Sequence, residues 1–413
     1  MNRIKEIANY PKNLIKWLVL SFVVGITGGI LGSVFHIGID YLTEVRTQNP
    51  FVLWFLPLGG LVIAFLYYIS KKHGNLDTNR VLDAVKGEEK VPLIMAPLIF
   101  ISTLITHFLG GSAGREGAAL QLGGSIGYNA GKVFHLNEKD KHIITMAGMS
   151  AVFAALFGTP LTAAVFSLEV VYSGVFHYAA LFPCIISAIV ASQAALKFGL
   201  HPTHFKIPSC EMSAEIIIKV IVISILFALV SILFCAAIKS CNHSMSRIIK
   251  NVFLRAFFGG VIIIILTFIL GTYDYNGAGM DVVEKAINGQ VKYEAFLLKI
   301  IFTALTIASG FKGGEIVPAF FVGSTFGCMA GSILGIDPGF AAALGFVGVF
   351  CGVVNCPIAS IILSLEVFGG DSILIFALMC AICYMMSGYF GLYKSQEFVF
   401  SKLNYEKIET HIK

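Results

Sequence analysis

An arginine and a glutamate stand side by side at Arg115 and Glu116, within the glycine-rich stretch GSAGREGAALQLGGSIG. The chain otherwise avoids charge: of its 413 residues, 57% are hydrophobic and only 13% are charged, about half the charged share of a soluble domain. A charge at the bilayer centre costs about 2.5–3.5 kcal/mol, so such residues face water, a partner or a permeating ion. The pair therefore predicts an ion site inside a membrane protein.

The residues around the pair predict that this ion is an anion. Gly114 and Gly117 let the backbone turn and approach a ligand closely. The apolar run that follows predicts a helix starting near Glu116, whose N-terminus carries unpaired N–H groups and about half a positive charge. The stretch GGEIVP, residues 313–318, predicts a second helix start of the same kind, with a proline where its missing N–H costs nothing. Two such N-termini aimed at one point would hold a small anion weakly enough to release it.

Glu116 fits this site as a movable competitor, since its carboxylate is itself an anion. Ionised, it can occupy the anion site; protonated, it loses that attraction and can swing away, which would couple proton binding to anion passage. The alternative is that Glu116 only pairs with Arg115, but adjacent residues on a helix do not face each other.

The elements that position these residues occur twice along the chain. GREGAAL from Gly114 is matched by GEIVPAF from Gly314, 200 residues later, and PLTAAVFSLEV from Pro160 is matched by PIASIILSLEV from Pro357, 197 residues later. Further matched pairs follow in the same order. Repeats of this kind place a site where the halves meet near the membrane midplane.

We therefore expect an all-α, polytopic membrane fold of two halves, residues 13–205 and 210–402, built from short, broken and tilted helices. We expect no soluble regulatory domain, and the number of membrane crossings per half stays open. Basic residues before the first apolar span favour a cytoplasmic N-terminus. These residues are Arg3, Lys5, Lys12 and Lys16.

The motifs resemble those of the CLC family of chloride channels and proton-coupled anion antiporters. GREGA at 114–118 is similar to the family's GREGP signature, and GGEIVP at 313–318 is similar to its GxFxP element. AALFGTPLTAAVFSLEV at 154–170 resembles the family's apolar segment ending in an acidic residue. The resemblance covers residues 15 to 400. It implies two inverted halves, a homodimer with one pore per subunit, and Glu116 as the gating glutamate.

Departures from the family pattern bear on which anion is transported and on where a second proton site lies. The family's serine loop aligns by spacing with residues 74–78, where no serine is present, so Asn75 or backbone groups must serve. Ile316 stands in place of the GxFxP phenylalanine. The glutamate beside it, Glu315, resembles the sequence of the fluoride-exporting branch of the family at this position. Glu315 is the candidate for a second proton site, with a water path as its rival.

Other family positions complete the expected site. The pore tyrosine is assigned to Tyr393 rather than Tyr389. Glu169 and Glu366 lie at the same place in the two matched SLEV runs, which favours a structural role for both. The expected anion-binding residues are Gly74, Asn75, Gly114, Arg115, Gly117, Gly314, Ile316, Val317 and Tyr393.

The expected function is transport of a chloride-type halide by proton-coupled antiport gated by Glu116. A passive voltage- or pH-gated chloride channel and a fluoride/proton antiporter remain alternatives. No HExxH or GxGD motif is present, so we expect no enzyme, and we expect no metal, cofactor or nucleic-acid partner. The expected partners are chloride or fluoride, protons, membrane lipids and a second subunit, with the protein in the plasma membrane.

Overall fold

The computed structural model describes residues 2–208, 210, 212–404 and 406–412, with side chains from residue 10 onward. Over these residues the chain forms sixteen α-helices. The first eight are Asn2–Gln48 (α1), Leu56–Ile69 (α2), Thr78–Lys86 (α3), Met95–Phe108 (α4), Glu116–Val133 (α5), Glu138–Phe157 (α6), Pro160–Glu169 (α7) and Leu181–Lys197 (α8). The next eight are Ala214–Ile248 (α9), Val252–Leu270 (α10), Met280–Ile287 (α11), Ala295–Ala308 (α12), Ile316–Leu334 (α13), Pro338–Val354 (α14), Pro357–Phe368 (α15) and Ile373–Met386 (α16).

The long apolar helices identify an integral membrane protein. In the described part of the chain, six helical segments are long and apolar enough to cross a membrane. They are Tyr10–Gln48, Pro50–Ile69, Tyr178–Lys197, Ala214–Ile248, Val252–Leu270 and Ile316–Leu334. Large apolar side chains such as Phe22, Ile218 and Phe268 are exposed on them, as lipid contact requires. Several other helices are apolar but shorter, and this agrees with the expected short, broken helices.

Glycines bring the two helices that follow each site motif into backbone contact. A Cβ on Gly123 of α5 would overlap the carbonyl oxygen of Gly148 on α6, and a Cβ on Gly323 of α13 would overlap that of Gly345 on α14. Close packing of small residues supplies van der Waals contact where lipid removes the usual hydrophobic drive. These helix pairs therefore form two matched rigid units behind the motifs.

Corresponding threonines in the two repeated parts of the chain each accept a hydrogen bond from a loop of the other part. The Thr106 hydroxyl of α4 accepts from Lys312 N–H at 3.2 Å, and the Thr306 hydroxyl of α12 accepts from Ser112 N–H at 3.0 Å. Each threonine thus satisfies a backbone donor just before the opposite helix start, a group that would otherwise be buried without a partner. The two loops are held in place by each other's preceding helix.

Glu169 and Glu366 each cap the N-terminus of the helix that carries the other. Glu169, the last residue of α7, accepts from Ala359 N–H at 2.9 Å at the start of α15. Glu366 on α15 accepts from the Thr162 N–H at 2.8 Å and from its hydroxyl at 2.6 Å, at the start of α7. A carboxylate at a helix N-terminus is stabilised by free N–H groups and by the helix dipole. This contact is consistent with the structural role expected for both glutamates.

A small sheet ties the C-terminal segment to the end of α7. Its strands are Tyr172–Ser173 (β1), Glu397–Phe400 (β2) and Lys407–His411 (β3), with β1 parallel and β3 antiparallel to β2. The Lys402 ammonium in the connecting hairpin donates to Asn355 Oδ1 at 2.5 Å and to Tyr384 O at 2.9 Å. The chain after α16 is thus fixed against the helical body.

Candidate ion site

The two site motifs meet through their backbones. Gly114 N–H donates to Gly314 O and Gly314 N–H donates to Gly114 O, both at 2.7 Å. The helices then begin immediately: α5 at Glu116 and α13 at Ile316, with Pro318 in its first turn. Both predicted helix starts are confirmed, and the bridge brings the two N-termini together.

The Glu116 carboxylate lies between these two N-termini. Its Oε2 accepts from Arg115 N–H at 3.0 Å and from Val317 N–H at 3.3 Å. The side chain is fully buried, and its Oε1 has no hydrogen-bond partner among the described residues. One carboxylate oxygen therefore receives backbone donors from both helix starts, in the way a small bound anion would.

Arg115 does not form a close ion pair with Glu116. Its Nε lies 4.0 Å from Glu116 Oε1, whereas its Nη1 lies 3.2 Å from Asp40 Oδ1. The guanidinium also reaches the Leu156 carbonyl at 3.5 Å. The charged group of Arg115 is thus directed toward α1 and α6, while its backbone N–H serves the carboxylate.

Glu315 occupies the matching place on the other side of the crossing. A Cβ on Gly117 would lie 3.1 Å from Gly314 Cα and 3.5 Å from Glu315 Oε2. The Glu315 carboxylate therefore lies beside the first turn of α5, just as that of Glu116 lies beside the first turn of α13. Gly117 suits this close approach because a side chain here would crowd the Gly314 backbone.

Two cavities reach the crossing from different sides. One, of about 590 Å³, is lined by Arg115, His107 and Val317 among others. The other, of about 740 Å³, is lined by Glu315, Tyr393 and Gln121 among others. They share no lining residue, and each is lined by residues next to the crossing, so the crossing lies between them. The buried Glu116 side chain lies at this crossing.

Tyr393 and Tyr389 lie in different surroundings. Tyr393 lines the 740 Å³ cavity with Glu315, and its buried hydroxyl has no hydrogen-bond partner among the described residues. Tyr389 packs edge-on against Phe398 and donates to Ser401 Oγ at 3.3 Å. An O–H donor free to meet a ligand in the cavity supports the choice of Tyr393.

The structure does not bring Gly74 and Asn75 to the carboxylates, and this corrects the placement expected from spacing. They line a separate cavity of about 440 Å³, and the exposed Asn75 offers its carbonyl to Arg80 at 3.1 Å. Spacing alone misplaced them because Asp77 caps α3 by accepting from Arg80 N–H at 3.2 Å. That cap turns the chain, so a later residue faces the site.

Thr78 and Gln121 line the cavity beside Glu315 instead, and neither was expected from the sequence. Gln121 Nε2 donates to Thr78 Oγ1 at 3.0 Å, and Thr78 Oγ1 lies 3.4 Å from Gly117 O. The available signal was helical spacing, since Gln121 follows Gly117 by four residues and so shares its helix face.

His107 and Lys312, which flank the motifs, hold the loops in place. The buried His107 ring lies with its Nε2 at 3.2 Å from Gly114 O, and the Lys312 ammonium lies 4.2 Å from the centre of the Tyr67 ring. Over the residues that the structure describes, no three His, Cys, Asp or Glu side chains are grouped to hold a metal ion.

Fold and site together define a polytopic membrane protein in which two helix N-termini meet at a buried glutamate. The family model described as voltage gated chloride channel matches residues 59–388, and the chain belongs to this family.

Relatives and solved structures agree with this assignment. A chloride/fluoride channel protein of Pseudomonas syringae pv. tomato is 35% identical over 395 residues, which cover 94% of this chain and 87% of that protein. A crystal structure of a CLC-type fluoride/proton antiporter superposes with a TM-score of 0.89 at 32% identity, over 93% of this chain and 98% of that one. A slow cyanobacterial Cl⁻/H⁺ antiporter shares the fold, with a TM-score of 0.79 at 20% identity over 90% and 94% of the chains.

Proposed function

We propose that this protein exchanges a halide for protons across a membrane, with Glu116 as the gate. The observation that carries the proposal is the double backbone contact of Glu116 Oε2, with Arg115 N–H at 3.0 Å and Val317 N–H at 3.3 Å. A bound halide would take these same donors. The carboxylate and the anion therefore compete for one site, and protonation of the carboxylate removes the competitor.

We propose fluoride as the first anion to test and chloride as the second. The two relatives above that exceed 30% identity have fluoride in their names, whereas the chloride/proton antiporter is 20% identical. Fluoride holds its hydration water more tightly than chloride, so its site must offer more or better-placed donors. The Val317 and Arg115 amides and the unpartnered Tyr393 hydroxyl are the donors available. Gly114, Gly117, Gly314 and Ile316 shape the site through backbone approach.

A passive anion channel is the second candidate, favoured by the channel name of the Pseudomonas relative. The two cavities could connect when Glu116 swings away, and no proton would then need to follow. The proposal in either form is transport rather than catalysis.

The proposal also covers the assembly and placement of the chain. The chain consists of two homologous, inverted halves, residues 13–205 and 210–402. The threonine and glutamate contacts between these halves support this division. Two copies form a homodimer in the lipid of the plasma membrane, with one ion path each and a cytoplasmic N-terminus. Lys12 and Lys16 support that orientation, while the side chains of Arg3 and Lys5 lie outside those described.

The test is ion efflux from proteoliposomes loaded with fluoride or chloride, with external pH recorded at the same time. Coupled exchange predicts proton movement opposite to the anion and a reversal potential that depends on the proton gradient. Anion flux without such dependence would establish the channel, and flux of neither halide would overturn the proposal. Glu116→Gln should abolish or uncouple proton movement, and unchanged proton flux in that variant would remove Glu116 from the mechanism. Glu138→Gln, on the exposed start of α6, is the matched control.

A further inference from the structure

Gln121 presents an unpartnered hydrogen-bond acceptor and lines the same cavity as Glu315. Its side chain is 6% exposed, and its Oε1 is buried with no partner among the described residues. Its Nε2 donates to Thr78 Oγ1 at 3.0 Å. A buried polar atom without a partner is unfavourable, so the site favours a ligand or a side chain that supplies a proton.

The orientation of the Gln121 amide follows from the single proton of the Thr78 hydroxyl. Thr78 Oγ1 lies 3.4 Å from Gly117 O, which can only accept, so the hydroxyl gives its proton to this carbonyl. The hydroxyl must then accept from Gln121, and only the amide nitrogen can donate. Thr78 thereby keeps the NH₂ group toward itself and leaves Oε1 as the free atom.

The Glu315 carboxylate, from the start of α13, lies against the face of α5 that carries Gly117 and Gln121. Residues four apart on a helix lie one above the other, and side chains lean toward the N-terminus, so Gln121 reaches toward Gly117. Glu315 Oε2 would lie 3.5 Å from a Cβ on Gly117, and Glu315 and Gln121 line the same 740 Å³ cavity.

Other charged and titratable groups also line that cavity. They are Asp77 at the start of α3, Lys239 and His243 on α9, Arg255 on α10, Lys312 before α13, and Tyr393 and Lys394 after α16.

We propose that Gln121 is a positioning residue for the proton side of the exchange: its Oε1 accepts a hydrogen bond from the protonated carboxyl of Glu315. This inference rests on the proposed function and deepens it. An amide oxygen cannot donate, so it disfavours a bare anion and binds a group that carries a proton. Gln121 thus holds Glu315 when it is protonated and releases it when it is ionised, which keeps the proton-bearing group apart from the anion at Glu116.

The test measures anion and proton flux in the same proteoliposomes for Gln121→Met, which keeps length and volume but removes the acceptor. We expect proton flux to fall at least tenfold while anion flux stays within about threefold of wild type. The matched control is Gln193→Met on the exposed face of α8, which should change neither flux. A parallel loss of both fluxes, or no change in either, would overturn the proposal.

Four further variants separate positioning from folding. Thr78→Val removes the hydroxyl that orients the amide and should lower proton flux selectively, whereas Thr78→Ser should restore it. The double variant of Gln121→Met with Glu315→Gln should match Glu315→Gln alone, because Gln121 acts through that carboxyl. Additive losses would place the role of Gln121 elsewhere.

Failure of this inference can be told apart from failure of the proposed function. Wild-type protein without coupled proton flux would refute the exchange itself. Coupled wild-type protein whose coupling survives Gln121→Met would refute only the role of Gln121.

Discussion

Removing the Glu116 carboxylate should tighten anion binding, because the side chain and the ion compete for the same amides. The perturbation is Glu116→Ala, which leaves the Arg115 and Val317 N–H groups unoccupied but does not move the helices that carry them. A halide binding to the wild-type protein must first displace the carboxylate from those amides.

The magnitude follows from the two hydrogen bonds. A hydrogen bond to a charged group contributes about 1.5–3 kcal/mol. We take the low end because the Val317 contact is long, at 3.3 Å, and because Glu116 Oε1 is buried without a partner. Two such bonds stabilise the carboxylate at the amides by about 2–3 kcal/mol. The conformation in which the carboxylate has left the amides is therefore populated at about one part in 30 to 150. The variant should bind the anion about 30- to 150-fold more tightly.

Isothermal titration calorimetry with sodium fluoride and sodium chloride on detergent-solubilised protein measures this difference. Lowering the pH should tighten binding to the wild-type protein toward the affinity of the variant, because protonation removes the charge of the competitor. The affinity of the alanine variant should respond little to pH over the same range. Glu138→Ala, at an exposed site on α6, is the control.

Equal affinities for the two proteins would refute the competition argument. The same holds if the wild-type affinity does not change as the pH falls. Weaker binding by the variant would instead show that the carboxylate is part of the anion site rather than its rival.

Four other outcomes follow from particular contacts. Gly314→Ala should reduce transport at least tenfold in the efflux assay, since its Cβ would lie 2.9 Å from Glu116 N and force the crossing open. Tyr393→Phe should weaken halide binding by about 10- to 150-fold in calorimetry, the value of one hydrogen bond to a charged group, with little change in melting temperature. Glu366→Ala should lower unfolding stability by about 2–3 kcal/mol in detergent, because it leaves the α7 donors unpaired. Burial lowers the pKa of Lys86, but its hydrogen bond and ion pair with Glu397 outweigh burial and raise that pKa above its ordinary value. The pair should therefore stabilise the protein below about pH 10.4 and lose this effect at higher pH. Glu397→Gln should lower the melting temperature at pH 8 more than at pH 11.

The contacts between corresponding residues join the two repeated parts of the chain. The Glu169 and Glu366 caps, the Thr106 and Thr306 hydroxyls, and the glycine bridge each link one stretch of chain to its counterpart. Each contact satisfies a buried donor that its own stretch cannot satisfy. Neither stretch would be fully hydrogen-bonded alone, so we expect the halves to fold and move as one body around the ion site.

Local patterns were sufficient to predict the membrane class and the two helix starts beside Glu116. Glycine clusters, an early proline and long apolar runs act over a few residues, so they can be read without knowledge of packing. The resemblance of GREGA and GGEIVP to family motifs added the expected fold for the same reason: these motifs are short and continuous.

The partners of the site residues were decided only by packing. The Val317 amide that binds Glu116 lies 201 positions away along the chain, and the glutamate caps join residues about 190 and 204 apart. Nothing local distinguishes Thr78 from Asn75 as the residue that faces α5. That choice depends on how the Asp77 cap turns the chain against a helix formed elsewhere, because a hydrogen bond depends on distance and angle between atoms rather than on their separation in sequence.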